Sequence, residues 1–155
     1  MKLLRILLQP LAIAVVLAAT VRSFVHIYAI PSSSMSPTLE VGDHIVVTPY
    51  AHNAQPARGD IVVFRSPLSR DIVVKRVIAT PGDLIESHDG SVTIGGHPLR
   101  EPYVRQPAAN RDIAPQIIPA GSYFVMGDNR ADSFDSRDWG VLRRELIIGR
   151  AHFVH

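Results

Sequence analysis

The chain has 155 residues, a length that suits one principal domain with at most a small excursion. Its 16 basic and 14 acidic side chains leave a formal charge of +2, and the basic residues are scattered, which excludes a nucleic-acid footprint. There is no cysteine, so disulfides, thiol catalysis and cysteine-ligated zinc are excluded.

Residues 1–29 read as a membrane anchor. Met1 to Arg5 is a short basic head, Ile6 to Val21 is apolar apart from Gln9, Pro10 and Thr20, and Arg22 closes the run. The run is short for a hydrocarbon core of about 30 Å, a deficit that snorkelling by Arg5 and Arg22 would offset. Lys2 and Arg5 favour a cytoplasmic N-terminus, with the body of the protein on the extracytoplasmic face. A cleavable signal peptide is the competing reading; Leu17-Ala18-Ala19 fails its small-residue requirement at the outer position.

Residues 30–155 read as strands and turns. Directly after the anchor comes the serine-rich loop Ser32-Ser33-Ser34-Met35-Ser36-Pro37-Thr38-Leu39. Its apolar Met35 and Leu39 suggest a shaped loop docked on a sheet rather than a linker. The runs Ile45-Val46-Val47, Ile61-Val62-Val63-Phe64 and Ile72 to Ala79 are β-branched and bounded by Gly, Pro or Asp. Asp89-Gly90 sits between Leu84-Ile85-Glu86 and Ser91-Val92-Thr93-Ile94, a two-residue hairpin signal. Gly95-Gly96 turns the chain again toward Pro98-Leu99. Residues 86–120, rich in turns and prolines, read as a small β-rich insertion. Tyr123 to Met126 and Leu146 to Ile148 supply later strands, with a short helix expected near Leu142 to Leu146. No other long segment has a helical period, so the expected fold is mainly antiparallel β, partly closed as a barrel, behind one N-terminal transmembrane helix.

Only two of the basic residues are lysines, Lys2 and Lys75. Lys75 lies in the strand Ile72 to Ala79, where alternation puts it on a face with Val73 and Val77. Arginine cannot release its proton in a protein, whereas a desolvated lysine can. A lysine here is either a general base or a chain snorkelling from a half-buried strand. A serine hydroxyl needs such a base to act as a nucleophile. The 7 histidines show no metal-binding spacing, and His44 has no evident orienting partner.

Four ordered boxes then make a specific pattern: Pro31 to Leu39, Arg58-Gly59-Asp60-Ile61-Val62-Val63-Phe64, Val74-Lys75-Arg76-Val77-Ile78-Ala79-Thr80-Pro81-Gly82-Asp83, and Gly127 to Gly140. Together they resemble the bacterial type I signal peptidases, membrane-bound Ser/Lys proteases. The resemblance implies Ser34 as nucleophile and Lys75 as general base. It implies an oxyanion hole from the Ser34 amide and the Ser32 hydroxyl, and Ser133 orienting the Lys75 amine. Asp135 and Arg137 would form a supporting ion pair, with Asp128 beside them. Gly127 would let backbone come close to the lysine, and Met35 would line the substrate pocket. No cofactor and no metal are implied. The implied partners are signal peptides of exported precursors and the lipid bilayer, with no nucleic acid. A specialised maturation or organelle peptidase shares this chemistry, and an inert peptide-binding β module is the reading from another class.

Overall fold

The computed structural model describes residues 10, 12–15, 26–106 and 111–153. Residues 12–15 are helical. Among the described residues no helix is long and apolar enough to cross a membrane. The anchor expected at residues 1–29 lies mostly outside the described residues, and its last four, His26–Ala29, form a strand instead.

The strands are β1 (His26–Ala29), β2 (His44–Thr48), β3 (Ile61–Arg65), β4 (Ile72–Ala79), β5 (Leu84–His88), β6 (Ser91–Ile94), β7 (His97–Pro98), β8 (Gln116–Ile117), β9 (Ser122–Met126), β10 (Leu142–Arg143) and β11 (Ile147–Phe153). They form a seven-stranded sheet in the order β1-β2-β11-β3-β4-β9-β10 and a four-stranded sheet in the order β7-β6-β5-β8. Every pairing is antiparallel. The fold is thus mainly antiparallel β, as the alternating runs imply.

The expectation of partial closure into a barrel is not met by the strand pairing. The large sheet ends at β1 on one side and β10 on the other, and the two do not pair. Closure needs strands long enough to share a stagger, and β10 has only 2 residues. The short helix expected near Leu142 to Leu146 is instead β10 followed by a 3-10 turn, Arg144–Leu146. The one α-helix among the elements from residue 26 onward, α1 (Ser136–Trp139), is a single turn, and Asp135 and Asp138 cap it reciprocally.

Three apolar clusters position the functional loops. Met35 and Leu39, each 1% exposed, pack with Ile30, Ile45, Val47, Ile61 and Val63. Burying each such side chain contributes about 1.5–3 kcal/mol, enough to fix the serine loop on the sheet. A second cluster, Val62, Phe64, Val77, Tyr123, Val125 and Leu142, lies on strands β3, β4, β9 and β10. A third joins the two sheets through Ile78, Phe124 and Met126 on one side and Ile85, Val92 and Ile118 on the other.

Candidate active site

The serine loop forms a 3-10 turn, Ser33–Met35, whose N-cap Ser32 is extended. Met35 points into the core, so its neighbour Ser34 stays at the surface of the turn, half-buried. Lys75 stands in β4 opposite Val62 of β3. Its side chain is only 3% exposed, and its Nζ lies 2.6 Å from Ser34 Oγ. Ser32 Oγ is 3.2 Å from the same hydroxyl. An open cleft of about 90 Å³ is bounded by Ile30, Ser32, Ser34, Met35, Ile72 and Lys75.

Burial is the main reason the Lys75 amine is pushed down from 10.5 to about 8. Asp135, Asp128 and Asp132 pull it back up, while Arg137 opposes them. Among the described residues no ion pair reaches Lys75. Asp135 is committed elsewhere: Arg137 holds it at 2.8 Å, the Ser133 hydroxyl donates to it at 2.7 Å, and the Gly127 amide donates at 3.0 Å. Burial alone would raise the Asp135 carboxyl, but Arg137 leads the groups that hold it below the usual carboxylate value.

Gly127 stands at a close approach, and the nearest atoms it admits belong to Ser133 and Ser34. A Cβ there would run into Ser133 Oγ and the Ser34 carbonyl oxygen. Ser133 is 6% exposed and lies within this group, yet among the described residues its hydroxyl bonds Asp135 and makes no hydrogen bond to the Lys75 amine.

Asp128 sits one layer behind. It accepts from Arg76 Nε at 2.8 Å and Nη2 at 2.6 Å, and from the Thr38 hydroxyl at 2.5 Å. One carboxylate therefore ties the serine loop to the strand that carries Lys75. Three further contacts were not assigned from sequence. The Asn129 amide donates to Ser34 O at 3.1 Å, its side chain donates to Ser33 O at 3.2 Å, and the Ser33 hydroxyl donates to Asp132 at 2.9 Å. All belong to the last box, so the box itself was the available signal.

A hydroxyl set against a dry, deprotonatable amine beside an apolar cleft has the composition of a serine hydrolase site. Comparison with known proteins narrows this. The model of the family "Signal peptidase, peptidase S26" matches residues 4–155. Signal peptidase I of Leptolyngbya laminosa is 41% identical over 154 residues, covering 93% of this chain and 75% of that one. Probable signal peptidase I-1 of Synechocystis is 42% identical over 153 residues, covering 92% and 78%. The crystal structure of a signal peptidase I from Enterococcus faecalis superposes with a TM-score of 0.55 at 32% identity, over 63% of this chain and 97% of that one. The chain belongs to the signal peptidase family of peptidases, S26.

Proposed function

We propose that the chain is a membrane-anchored serine endopeptidase that removes signal peptides from exported precursors, with Ser34 as nucleophile and Lys75 as general base. The observation that carries the reading is the 2.6 Å separation of Lys75 Nζ and Ser34 Oγ, with the lysine buried and free of a carboxylate partner among the described residues. A base that works near neutral pH should titrate not far above it, and a lysine lowered to about 8 meets that need.

Neutral Lys75 takes the Ser34 proton as Oγ attacks the scissile carbonyl carbon. The carbonyl oxygen gathers negative charge, and the Ser34 amide and Ser32 hydroxyl donate to it. The lysine ammonium gives its proton to the leaving amine as the C–N bond breaks, leaving an acyl ester on Ser34. Neutral Lys75 then deprotonates a water that attacks the ester, and the proton returns to Ser34 Oγ. The small apolar cleft beside Met35 suits a small side chain next to the cut bond. Asp135, Arg137, Ser133 and Gly127 hold the lysine's surroundings, and Asp128 ties the serine loop to strand β4. An anchor preceding β1, within residues 1–25, would confine enzyme and precursor to one bilayer and raise their effective concentration. The catalytic domain then stands on the extracytoplasmic face of the cell membrane.

The test is cleavage of a model exported precursor by the full chain in detergent. Ser34→Ala and Lys75→Arg are each expected to lower the rate by roughly four orders of magnitude or more while the fold persists. Lys75→Arg is the sharper variant, because it keeps the charge and removes only the ability to become neutral. Near-normal cleavage by that variant would end the proposal.

A further inference from the structure

Ser33 lies between Ser32 and Ser34, so its backbone joins the hydroxyl expected to hold the substrate carbonyl to the one expected to attack it. The last box grips it twice from across the chain. The Asn129 side-chain amide donates to Ser33 O at 3.2 Å, and the Ser33 hydroxyl donates to Asp132 Oδ2 at 2.9 Å. Asp132 is fixed in turn, because its backbone amide donates to Asn129 O at 3.1 Å. Ser33, Asn129 and Asp132 thus close a ring of hydrogen bonds, and the Asn129 backbone amide extends it to Ser34 O at 3.1 Å. Within the ring, the Ser33–Asp132 bond is the link that joins two side chains.

Asp132 also acts through its charge. The charged groups that bear on the Lys75 amine are Asp135 first, then Arg137, Asp128 and Asp132. Two of these carboxylates are offset by arginines: Asp135 by Arg137 at 2.8 Å, and Asp128 by Arg76 at 2.6 Å. Asp132 has no ion-pair partner among the described residues, and its side chain accepts from a neutral hydroxyl instead.

We propose that Asp132 is a positioning residue of the cleavage reaction: it holds the turn that carries the nucleophile through the Ser33 hydroxyl, and it sets an unpaired negative charge within electrostatic reach of Lys75. The inference rests on the reading of Ser34 and Lys75 as nucleophile and base. The two effects are separable. The bond to Ser33 limits where Ser34 Oγ can stand. The charge favours the ammonium form of Lys75 and so works against burial; without it the neutral amine should appear at lower pH. Asp132 is exposed, so salt should screen this second effect.

The test follows the lysine amine directly. The chain has only two lysines, Lys2 and Lys75, so isotope-labelled lysine gives two side-chain NMR signals, and Lys75→Arg identifies the one to follow. The full chain in detergent is titrated with pH, and precursor cleavage and thermal unfolding are measured alongside. Asp132→Asn keeps an oxygen to accept from Ser33 and removes the charge; the Lys75 midpoint should move to lower pH, by less as salt is raised. Ser33→Ala keeps the charge and removes the bond. It should leave the Lys75 midpoint in place and lower kcat at high pH by about 3- to 10-fold with KM unchanged, the worth of one hydrogen bond to a charged acceptor. A Lys75 midpoint unmoved by Asp132→Asn overturns the proposal, as does a wild-type kcat in Ser33→Ala. A lower unfolding temperature in both variants, with titration and kcat as in wild type, would make the bond purely structural and overturn it equally. The NMR midpoint needs no turnover, so these failures are distinct from a failure of the nucleophile and base reading, which normal cleavage by Lys75→Arg would reveal.

Discussion

At the scale of single residues, the Lys75 amine ties activity to stability. It is pushed down to about 8 mainly by burial, so the neutral base should grow in as pH rises and cleavage should climb through a pH near 8. The stability consequence has the opposite bearing for the charged form. Below about pH 8 the amine is protonated in both folded and unfolded chains, and the whole desolvation cost stands. Between about 8 and 10.5 the folded protein gives up the proton first, so wild-type stability rises with pH in that window. Lys75→Met should consequently be more stable than wild type at neutral pH, by up to about 3 kcal/mol, with the gap closing toward pH 10.5. Thermal unfolding of the two proteins at several pH values checks this; a gap constant with pH would contradict it. A lysine within an apolar strand of an arginine-rich chain drew notice to Lys75 but left a base and a snorkelling side chain both open, and only the four boxes set its implied role. The contacts of Thr38, Asn129 and Asp132 were not readable, because their bonds to Asp128, Ser34 and Ser33 bridge far-separated parts of the chain. Thr38 and Asp128 are 90 positions apart, and Ser33 and Asp132 are 99. The boxes place these residues near the site, but no local pattern encodes which of them pair.

At the scale of elements, the serine loop is held from behind by two devices that make different predictions. Gly127 is a matter of space: a methyl group would displace the Ser34 carbonyl or the Ser133 hydroxyl. Gly127→Ala should cut cleavage at least about 100-fold, because displacements near 1 Å in an active site carry penalties of that order. A near-normal rate would show the approach to be slack. Asp128 is a matter of charge: its side chain is fully buried against Arg76, which is 12% exposed. Asp128→Ala strands a buried guanidinium and should destabilise by about 3–5 kcal/mol, read as a lower urea midpoint. A loss under 1 kcal/mol would mean that Arg76 finds another acceptor. The hairpin of β5 and β6 was legible from Asp89-Gly90, since both residues take the positive φ, 48° and 75°, that such turns require. The strands β8 and β10 were not, because 2 residues carry no periodicity. The helix α1 escaped for the same reason, and only its capping pair could have signalled it.

At the scale of the whole molecule, the two sheets meet through contacts that also reach the site. Arg130 and Glu101 form a buried ion pair, and Arg130 Nε donates to Gly127 O at 3.0 Å. The guanidinium of Arg76 lies 4.0 Å from the centre of the Tyr103 ring. Residues just beyond the small sheet thus press on both the glycine and the lysine-bearing strand. The class of fold was legible from alternation and turn residues, but its strand order was not. Alternation shows which residues form strands and says nothing of β11 entering between β2 and β3, the neighbours it separates. That placement sets a timetable for biosynthesis. While the ribosome has delivered the chain only as far as Arg144, β2 and β3 each expose a row of unpaired amides where residues 147–153 will dock. The serine loop rests on side chains of those same two strands, so a half-made chain should not cut anything. A chain released at residue 146 should show no cooperative unfolding and no cleavage, and a separately supplied peptide of residues 147–153 should restore a measurable part of both.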